Sequence, residues 1–157
     1  MTHIDIGIEE SARKSVAEAL NATLADTYSL YMKTHAYHWN VTGPQFHSLH
    51  TMFEQQYNEM WMALDEIAER VRALGVFAPM SGKQFADLSA IDNAETSPPV
   101  ASKMITQLLE GHETLIKRAR QGLSTAEESG DAASADLLTV RIQIHEKTAW
   151  MLRALTE

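Results

Sequence analysis

The chain has 157 residues and no cysteine, and its 21 Asp and Glu outnumber its 13 Lys and Arg, for a formal net charge of −8. This length suits one domain with a sizeable core, and the lack of cysteine excludes disulfides, thiolate metal sites and a cysteine nucleophile. The acidic balance disfavours nonspecific nucleic-acid binding. Because no apolar run could span a membrane and the N-terminal residues do not match a secretory signal, we expect a cytoplasmic protein.

The first predicted element is a long helix from about Glu9 to Trp39. Apolar residues recur along it at three- and four-residue intervals, and neither proline nor glycine interrupts it. The stripe that we expect to face the core consists of Val16, Leu20, Leu24, Thr27, Tyr31 and Thr34. Residues 40–43 then break the helix.

The second helix is predicted to follow this break and to run to Leu74. Thr42 and Gln45 match a capping box, in which two side chains satisfy backbone N–H groups at a helix start. Pro44 lies between them, in the first turn, where proline is tolerated. Gly75 is placed to end the helix with a left-handed backbone.

A long connection separates this helix from the second half of the chain. Residues 76–97 lack helical periodicity apart from a short helical turn at 84–88, and such long connections are usually functional or interfacial. The expected bounds of the last two helices are Ser97 to about Gly122 and about Ala132 to Leu155, with a loop at residues 124–131. Since no strand is indicated, we predict a single all-α domain over 1–157, preceded by a short tail at 1–8. It is a four-helix bundle with a short helix in the connection between helices two and three.

Five potential metal ligands lie in and just before the second helix: His38, His50, Glu54, Asp65 and Glu69. The last four are spaced by four, eleven and four residues, so they project from one side of the helix. Imidazole mixed with carboxylates suits a ferrous or similar transition metal. The alternative is a solvated acidic face, but like charges four residues apart weaken a helix, and partly buried carboxylates require a cation.

The spacing of these ligands points to two chains. Glu54 and Asp65 lie about 16 Å apart along a helix, so one helix cannot bring both ends of the set to one metal. Two copies of the helix, packed antiparallel about a two-fold axis near residues 59–60, can bring both ends to one metal. The axis sets His50 of one copy opposite Glu69 of the other, and Glu54 of one copy opposite Asp65 of the other. One such interface creates two equivalent sites, and His38 would complete each.

Other histidines are assigned different roles. His112 and His145 fall on apolar stripes, and we expect each to be a core or interface histidine with a hydrogen-bond partner. A di-iron site inside one bundle requires Glu-x-x-His pairs, and the sequence contains none. We expect His35 and His47 to face solvent or to support the ligands, with an accessory ligand role at high metal loading as the alternative.

The second helix and its lead-in resemble the Dps family, ferritin-like mini-ferritins named for DNA protection in starved cells. The matching motifs are His38-Trp39-Asn40-Val41-x-Gly43, Phe46-x-x-Leu49-His50-x-x-Phe53-Glu54 and Asp65-x-x-Ala68-Glu69-Arg70-x-x-x-Leu74-Gly75. The resemblance implies a ferritin-like four-helix bundle assembled as a homo-oligomer, a dodecamer built from two-fold dimers. It also implies inter-subunit di-iron centres that hold two iron ions each.

In that pattern one subunit supplies His38, His50 and Glu54, and its neighbour supplies Asp65 and Glu69. The implied activity is that of a ferroxidase and iron store. Fe²⁺ is oxidised, preferably with hydrogen peroxide rather than O₂, and the ferric product is kept in a hollow shell, which protects against oxidative stress. Many relatives have aspartate at the position of Glu54, and the longer side chain moves the second metal slightly.

Two tryptophans near the predicted metal ligands and two aspartates near the start of the last helix are candidates for supporting roles. Trp39 and Trp61 lie beside the ligands and would accept a stray oxidising equivalent, or they are interface packing. In relatives the region of Asp131 and Asp136 lines acidic pores at three-fold axes. The resemblance thus implies iron entry there, and the alternative for Asp131 is a helix N-cap.

Two functions from other classes remain open. The first alternative is a DNA-compacting protective protein with little catalysis. The second is a shell that sequesters Zn²⁺ or Fe²⁺ with little turnover. Family members commonly bind DNA through a lysine-rich tail, whereas residues 1–8 contain no Lys or Arg. We therefore expect no significant DNA binding at physiological salt.

Overall fold

The computed structural model describes residues 4–157, and this part of the chain contains five helices and no strand. The helices are α1 (Glu10–Asn40), α2 (Phe46–Ala73), α3 (Gly82–Leu88), α4 (Ala101–Glu128) and α5 (Ala132–Arg153). α1 packs against α2 and α4, and α4 packs against α5, so the four long helices form a bundle around one apolar core. The prediction of an all-α bundle with a short helix in the long connection is confirmed. Within the described residues, no helix is long and apolar enough to cross a membrane.

The predicted capping box at the start of α2 is wrong. α2 begins at Phe46 with Gln45 as the N-cap residue, and no side chain caps it. Gly43 adopts a left-handed φ of 110°, and the Phe46 N–H donates to the Gly43 carbonyl at 3.0 Å. Residues 43–46 therefore form a tight turn that contains Pro44. Because α2 begins only after this turn, Thr42 is too far from its first residues to cap it.

The predicted glycine end of α2 is confirmed. Gly75 has φ 91°, its N–H donates to the Arg72 carbonyl at 3.0 Å, and the Val76 N–H donates to the Val71 carbonyl at 3.3 Å. These two bonds satisfy carbonyl groups that a helix end leaves unpaired, and glycine adopts the required backbone without strain.

α4 differs from its prediction at both ends. It begins at Ala101 rather than Ser97, because the prolines at 98 and 99 disfavour helix in the residues before them. It continues past Gly122 to Glu128, so the predicted loop at 124–131 is mostly helix. A Cβ at Gly122 would lie 3.3 Å from Leu138 Cδ1, so this glycine allows close packing of α4 on α5. The glycine that ends the helix is Gly130, with φ 68°.

A buried carboxylate fixes the long connection to α1. Asp26 is fully buried, accepts hydrogen bonds from Ser89 Oγ at 2.9 Å and the Ala90 N–H at 2.7 Å, and pairs with Arg118 at 2.8 Å. Burial raises the pKa of Asp26, and the hydrogen bonds and the Arg118 charge oppose that rise. The connection therefore has a defined path across the bundle.

Candidate metal centre

The end of α1 and the start of α2 hold His38 and His50 against each other. His38 Nδ1 lies 2.8 Å from the His50 carbonyl oxygen, and His50 Nδ1 lies 2.8 Å from the His38 carbonyl oxygen. The two rings stack with centroids 3.8 Å apart and an interplanar angle of 19°. The tight turn at 43–46 brings the two helix ends close enough for this reciprocal arrangement.

These two hydrogen bonds fix the chemistry of both rings. A carbonyl oxygen only accepts, so Nδ1 of each ring must carry the proton and donate it. In the neutral ring, Nε2 of each then keeps its lone pair, which is the form that binds a metal ion. Metal-binding histidines typically have the other ring nitrogen held in this way by a carbonyl or carboxylate.

The three predicted carboxylates follow along the exposed side of α2. Glu54 lies one turn beyond His50, and Asp65 and Glu69 lie near the other end of the helix. Among the residues that the structure describes, no basic side chain pairs with any of the three.

The two arginines near Glu69 are engaged elsewhere. Arg70 pairs with Asp131 at 2.6 Å. Arg72 donates to the Val76 carbonyl at 2.8 Å and lies over the Phe77 ring. Glu54, Asp65 and Glu69 are therefore left without a counter-charge from the described part of their own chain.

A single chain does not gather the predicted ligands at one point. Over residues 4–157, no three His, Asp or Glu side chains are close enough to hold one metal ion. The structure brings His38 and His50 together, leaves Glu54 one turn beyond His50, and places Asp65 and Glu69 three turns further along α2. The set thus consists of two separate parts: a histidine part, made of His38 at the end of α1 with His50 and Glu54 of α2, and an acid part, made of Asp65 and Glu69.

The middle of α2 separates these two parts and has two different sides. Glu59 pairs with Arg141 of its own chain, and Met60 is 1% exposed, so both side chains turn towards the bundle. Trp61 and Met62 are 59% and 68% exposed and, with Asn58, lie on the outer side. Large exposed apolar side chains on a helix are typical of an interface.

The two tryptophans predicted beside the ligands contact other rings. Trp39, 61% exposed, lies 4.2 Å from the His35 ring, and His35 stacks on Tyr57 at 3.8 Å. Trp61 lies 5.6 Å from Tyr31, whose hydroxyl is 3.2 Å from His35 Nδ1. Burial, with a smaller effect from the nearby His38, lowers the pKa of His35.

The sequence interpretation missed the tyrosines that connect these tryptophans to the ligands. Tyr57 lies edge-on to His38 with centroids 5.2 Å apart, and it contacts His35 and Tyr31 as well. The four-residue spacings of Tyr31, His35 and Trp39, and of Tyr57 and Trp61, were the available signal. His47, by contrast, is exposed.

His112 and His145 form a second histidine pair, inside the bundle. They are 1% and 0% exposed, and their Nδ1 atoms lie 2.9 Å apart. Arg141 Nη2 lies 2.9 Å from His145 Nε2 and also donates to Glu59 at 2.8 Å. The prediction of core histidines with hydrogen-bond partners is confirmed.

Both inner histidines are neutral near pH 7. Burial, reinforced by the Arg141 charge, lowers the pKa of His112 to about 3. Burial also lowers the pKa of His145, and His112 and Arg141 add to that shift.

The acidic residues predicted at an iron pore have different environments. Asp131 is 1% exposed, accepts from the Ser134 N–H at 3.0 Å as the N-cap of α5, and pairs with Arg70. Although burial raises the pKa of Asp131, the bonds from Arg70 and Ser134 outweigh it and lower that pKa. The structure favours the capping alternative for Asp131, while Asp136 is exposed.

Comparisons with known proteins agree with this architecture. The family model described as a ferritin-like domain matches residues 17–157. The DNA protection during starvation protein 2 of Bacillus anthracis is 38% identical over 141 residues, which cover 90% of this chain and 96% of that protein. An uncharacterised low temperature-induced protein of Nostoc sp. is 40% identical over 158 residues, covering 100% of this chain and 88% of that protein.

A solved structure gives the same result in three dimensions. The Dps protein from Vibrio cholerae, described as a member of a broad superfamily of ferritin-like diiron-carboxylate proteins, matches with a TM-score of 0.94 and 31% identity. The match covers 100% of this chain and 98% of that chain.

Proposed function

Because this chain belongs to the Dps family of ferritin-like proteins, we propose that it is a ferroxidase and iron store whose sites are shared between subunits. His38, His50 and Glu54 of one subunit bind two Fe²⁺ ions together with Asp65 and Glu69 of its neighbour. The ferric product collects inside a hollow shell of twelve copies in the cytoplasm.

The observation that carries this proposal is the reciprocal bonding of His38 and His50. Each imidazole has its Nδ1–H held by a carbonyl oxygen, so in the neutral ring Nε2 offers a lone pair, and the unpaired carboxylate of Glu54 lies one turn further along α2. A purely structural histidine pair has no need of two free acceptor nitrogens. A divalent cation is the ligand that suits two such nitrogens and a carboxylate one turn away.

The sharing between subunits is supported by the layout of α2. The histidine part and the acid part lie on either side of residues 59–60, and the outer side between them carries exposed Trp61 and Met62. Packing two copies of this side about a two-fold axis covers the apolar side chains and sets each histidine part against an acid part.

The proposed reaction uses two iron ions at once. Two Fe²⁺ ions supply the two electrons that one hydrogen peroxide takes up on becoming two water molecules with two protons, so no hydroxyl radical is released. The carboxylates favour Fe³⁺ over Fe²⁺ because of their negative charge. Trp39 is linked to His38 through His35 and Tyr57, and Trp61 is linked to it through Tyr31 and Tyr57. Both tryptophans take up an oxidising equivalent that escapes.

The test mixes Fe²⁺ with the assembled protein under anaerobic conditions, adds hydrogen peroxide and follows ferric absorbance. The His50→Ala/Asp65→Ala variant is expected to lose the fast phase. The control is Glu66→Ala, which removes an exposed acid of the same helix that lies outside the ligand set. An unchanged rate in the double variant, or Fe²⁺ binding without turnover in the native protein, would contradict the ferroxidase assignment.

DNA coating is the competing function, and the charge of the chain opposes it. The net charge is −8, and six of the basic side chains are held in ion pairs with acids across the bundle or the long connection: Arg70, Lys103, Arg118, Arg120, Arg141 and Arg153. In a gel shift at about 0.15 M salt, the assembled protein is expected to leave duplex DNA unretarded. Retardation that disappears at high salt would favour the DNA-binding alternative.

A further inference from the structure

Tyr31 and His35 form a hydrogen-bonded pair one turn apart on α1. The Tyr31 hydroxyl lies 3.2 Å from His35 Nδ1. The chain has four tyrosines, all within the described residues, and this hydroxyl is the one that is hydrogen-bonded to an imidazole. The Tyr37 hydroxyl, by contrast, donates to the side-chain amide of Gln107. Because an imidazole takes up a proton and an amide does not, Tyr31 has a base at its hydroxyl that Tyr37 lacks.

The hydroxyl of Tyr31 is the donor in this bond. Burial raises the pKa of Tyr31, with smaller effects from Tyr57 and Tyr28, so the phenol keeps its proton near neutral pH. A phenol is a much stronger acid than a neutral imidazole N–H, and an imidazole nitrogen is a much stronger base than a phenol oxygen. Donation from the hydroxyl to His35 Nδ1 therefore joins the better donor to the better acceptor. Neutral His35 then carries its own proton on Nε2.

Tyr57 connects this pair to the proposed iron ligands. Its ring lies edge-on to the ligand His38, with centroids 5.2 Å apart. The same ring stacks on His35 at 3.8 Å and lies edge-on to Tyr31 at 6.3 Å. The path from a ligand to Tyr31 therefore crosses one intervening ring, and an electron moves readily between aromatic rings that are in contact.

The two tryptophans near the ligands end on the same pair. The Trp39 ring lies 4.2 Å from the His35 ring, and the Trp61 ring lies 5.6 Å from the Tyr31 ring. Both tryptophans are exposed, whereas Tyr31 and His35 are partly buried. An electron vacancy on either tryptophan is therefore one ring contact away from the pair.

We propose that Tyr31 is the final electron donor to oxidising equivalents that escape the iron site, and that His35 accepts its phenolic proton. The oxidant comes from the proposed function, on which this inference rests. When one Fe²⁺ instead of two reacts with hydrogen peroxide, one electron breaks the O–O bond and gives hydroxide and a hydroxyl radical. The radical takes up one electron by way of the rings and becomes a second hydroxide. Tyr31 loses that electron and passes its proton to His35 Nδ1, which leaves a neutral phenoxyl radical beside an imidazolium.

The base decides where the electron vacancy stops. A phenol that loses an electron without losing its proton becomes a strongly acidic radical cation, which is costly to form. Transfer of the proton along an existing hydrogen bond avoids that species, and it needs no water molecule in position. Tyr31 is therefore easier to oxidise than a tyrosine whose hydroxyl lies against an amide, and His35 is the positioning residue that makes it so.

The first test needs no iron. A light flash, with a soluble ruthenium photo-oxidant and an irreversible electron acceptor, oxidises exposed tryptophans of the iron-free assembled protein. The protein carries Trp150→Phe, because Trp150 on α5 is 63% exposed and would add its own radical. Transient absorbance is expected to show tryptophan radical decaying as tyrosine radical forms.

Two phenylalanine variants locate that tyrosine radical. Tyr31→Phe keeps the ring and removes the hydroxyl, and it is expected to lose the tyrosine radical and to prolong the tryptophan radical. The matched control is Tyr28→Phe, which removes a hydroxyl from the ring next to Tyr31 and is expected to leave both radicals unchanged. An undiminished tyrosine radical in Tyr31→Phe, or an equal loss in the two variants, would overturn the proposal.

Two variants of His35 separate a base from a mere hydrogen-bond partner. His35→Asn keeps an acceptor for the Tyr31 hydroxyl but takes up no proton, and His35→Phe keeps a ring between Trp39 and Tyr57. Both are expected to slow formation of the tyrosine radical on the order of 100-fold. A native rate in His35→Asn would contradict the role of His35 as the proton acceptor.

The second test connects the pair to iron. The assembled protein receives a single Fe²⁺ per site and then hydrogen peroxide, and it is frozen for electron paramagnetic resonance, with ring-deuterated tyrosine to identify the signal. Native protein and Tyr28→Phe are expected to give a tyrosine radical that Tyr31→Phe lacks. Rapid Fe²⁺ oxidation without that radical would overturn Tyr31 as the donor to the iron site. Slow Fe²⁺ oxidation together with a normal light-driven radical would instead contradict the proposed function and leave the Tyr31–His35 chemistry standing.

Discussion

The two histidine pairs of this chain differ in what their free ring nitrogens can do: one pair accepts, and the other donates. His38 and His50 are held by each other's carbonyl oxygens, so both keep a lone pair on Nε2. His112 and His145 are bonded ring to ring, with Arg141 donating at one end, so the last nitrogen carries a proton. The direction of the hydrogen bonds, and not the residue identity, suits the outer pair to the cation site that we propose and makes the inner pair a donor.

The largest expected difference between the pairs is in metal affinity. His50→Ala is expected to weaken Zn²⁺ binding to the iron-free protein about 100-fold, because it removes a ligand nitrogen and releases the ring that stacks on it. His145→Leu is expected to leave the affinity unchanged. Calorimetric titration measures both, and an equal loss in the two variants would remove the distinction between them.

A stability difference of similar size is expected at the arginine that sets the inner pair. Arg141→Met leaves His145 without its donor and Glu59 without its partner. Since Glu59 is partly exposed, we expect the free energy of unfolding to fall by about 2 kcal/mol rather than by the full value for a buried pair.

The matched control for Arg141 is Arg120→Met. Arg120 pairs with Glu146 on the surface, where both side chains are about half exposed, so a loss of about 0.5 kcal/mol is expected. Urea unfolding of the two variants gives the comparison. Equal losses would mean that the inner network adds nothing to stability.

Acidification is expected to act on the inner pair. The pKa of each inner histidine lies below its unfolded value near 6.5, so the unfolded chain binds more protons as pH falls. The contribution of the pair is therefore complete above about pH 6.5 and is lost progressively from there towards pH 3. Urea midpoints at pH 7, 5 and 4 measure this loss, and a His112→Phe/His145→Leu variant is expected to have the shallower dependence.

A further prediction compares Asp131 with Asp136. Asp131→Ala removes the α5 cap and the partner of Arg70, and we expect a loss of about 1–2 kcal/mol in stability. Asp136→Asn is expected to leave stability unchanged and to slow iron uptake if this acid lines an entry pore. Slower uptake in Asp131→Ala at full stability would restore the pore role to Asp131.

Helices and their ends could be predicted from the sequence where the signal is local. Periodicity predicted the four long helices, and Gly75 predicted the end of α2, because a left-handed residue after an apolar stripe has few other uses. Gly122 gave the wrong helix end because the reason for that glycine is Leu138 on another helix. Thr42 and Gln45 have the spacing of a capping box, but Gly43 and Pro44 form a turn instead.

The sequence predicts a set of site residues, which stays a prediction, but it does not predict how those residues are hydrogen-bonded. The spacing of His50, Glu54, Asp65 and Glu69 can be read directly from the sequence and predicts that they share one side of a helix. The reciprocal bonds of His38 and His50 depend on how closely two helix ends approach, and the contact of Tyr57 with His38 joins residues nineteen positions apart. The proton on His112 depends on Arg141 and His145 of α5, so no local pattern reveals it.

Co-assembly of two variants tests the shared site most directly. His50→Ala and Asp65→Ala each remove one half of every site, so each variant alone is expected to lack fast ferroxidase activity. When the two are unfolded, mixed and reassembled, a mixed two-fold dimer has one site with both defects and one with none. We predict that the mixture recovers activity in proportion to its mixed dimers, up to half the native rate per dimer. A mixture as inactive as its two parents, despite mixed dimers verified by mass, would contradict the sharing of ligands between subunits.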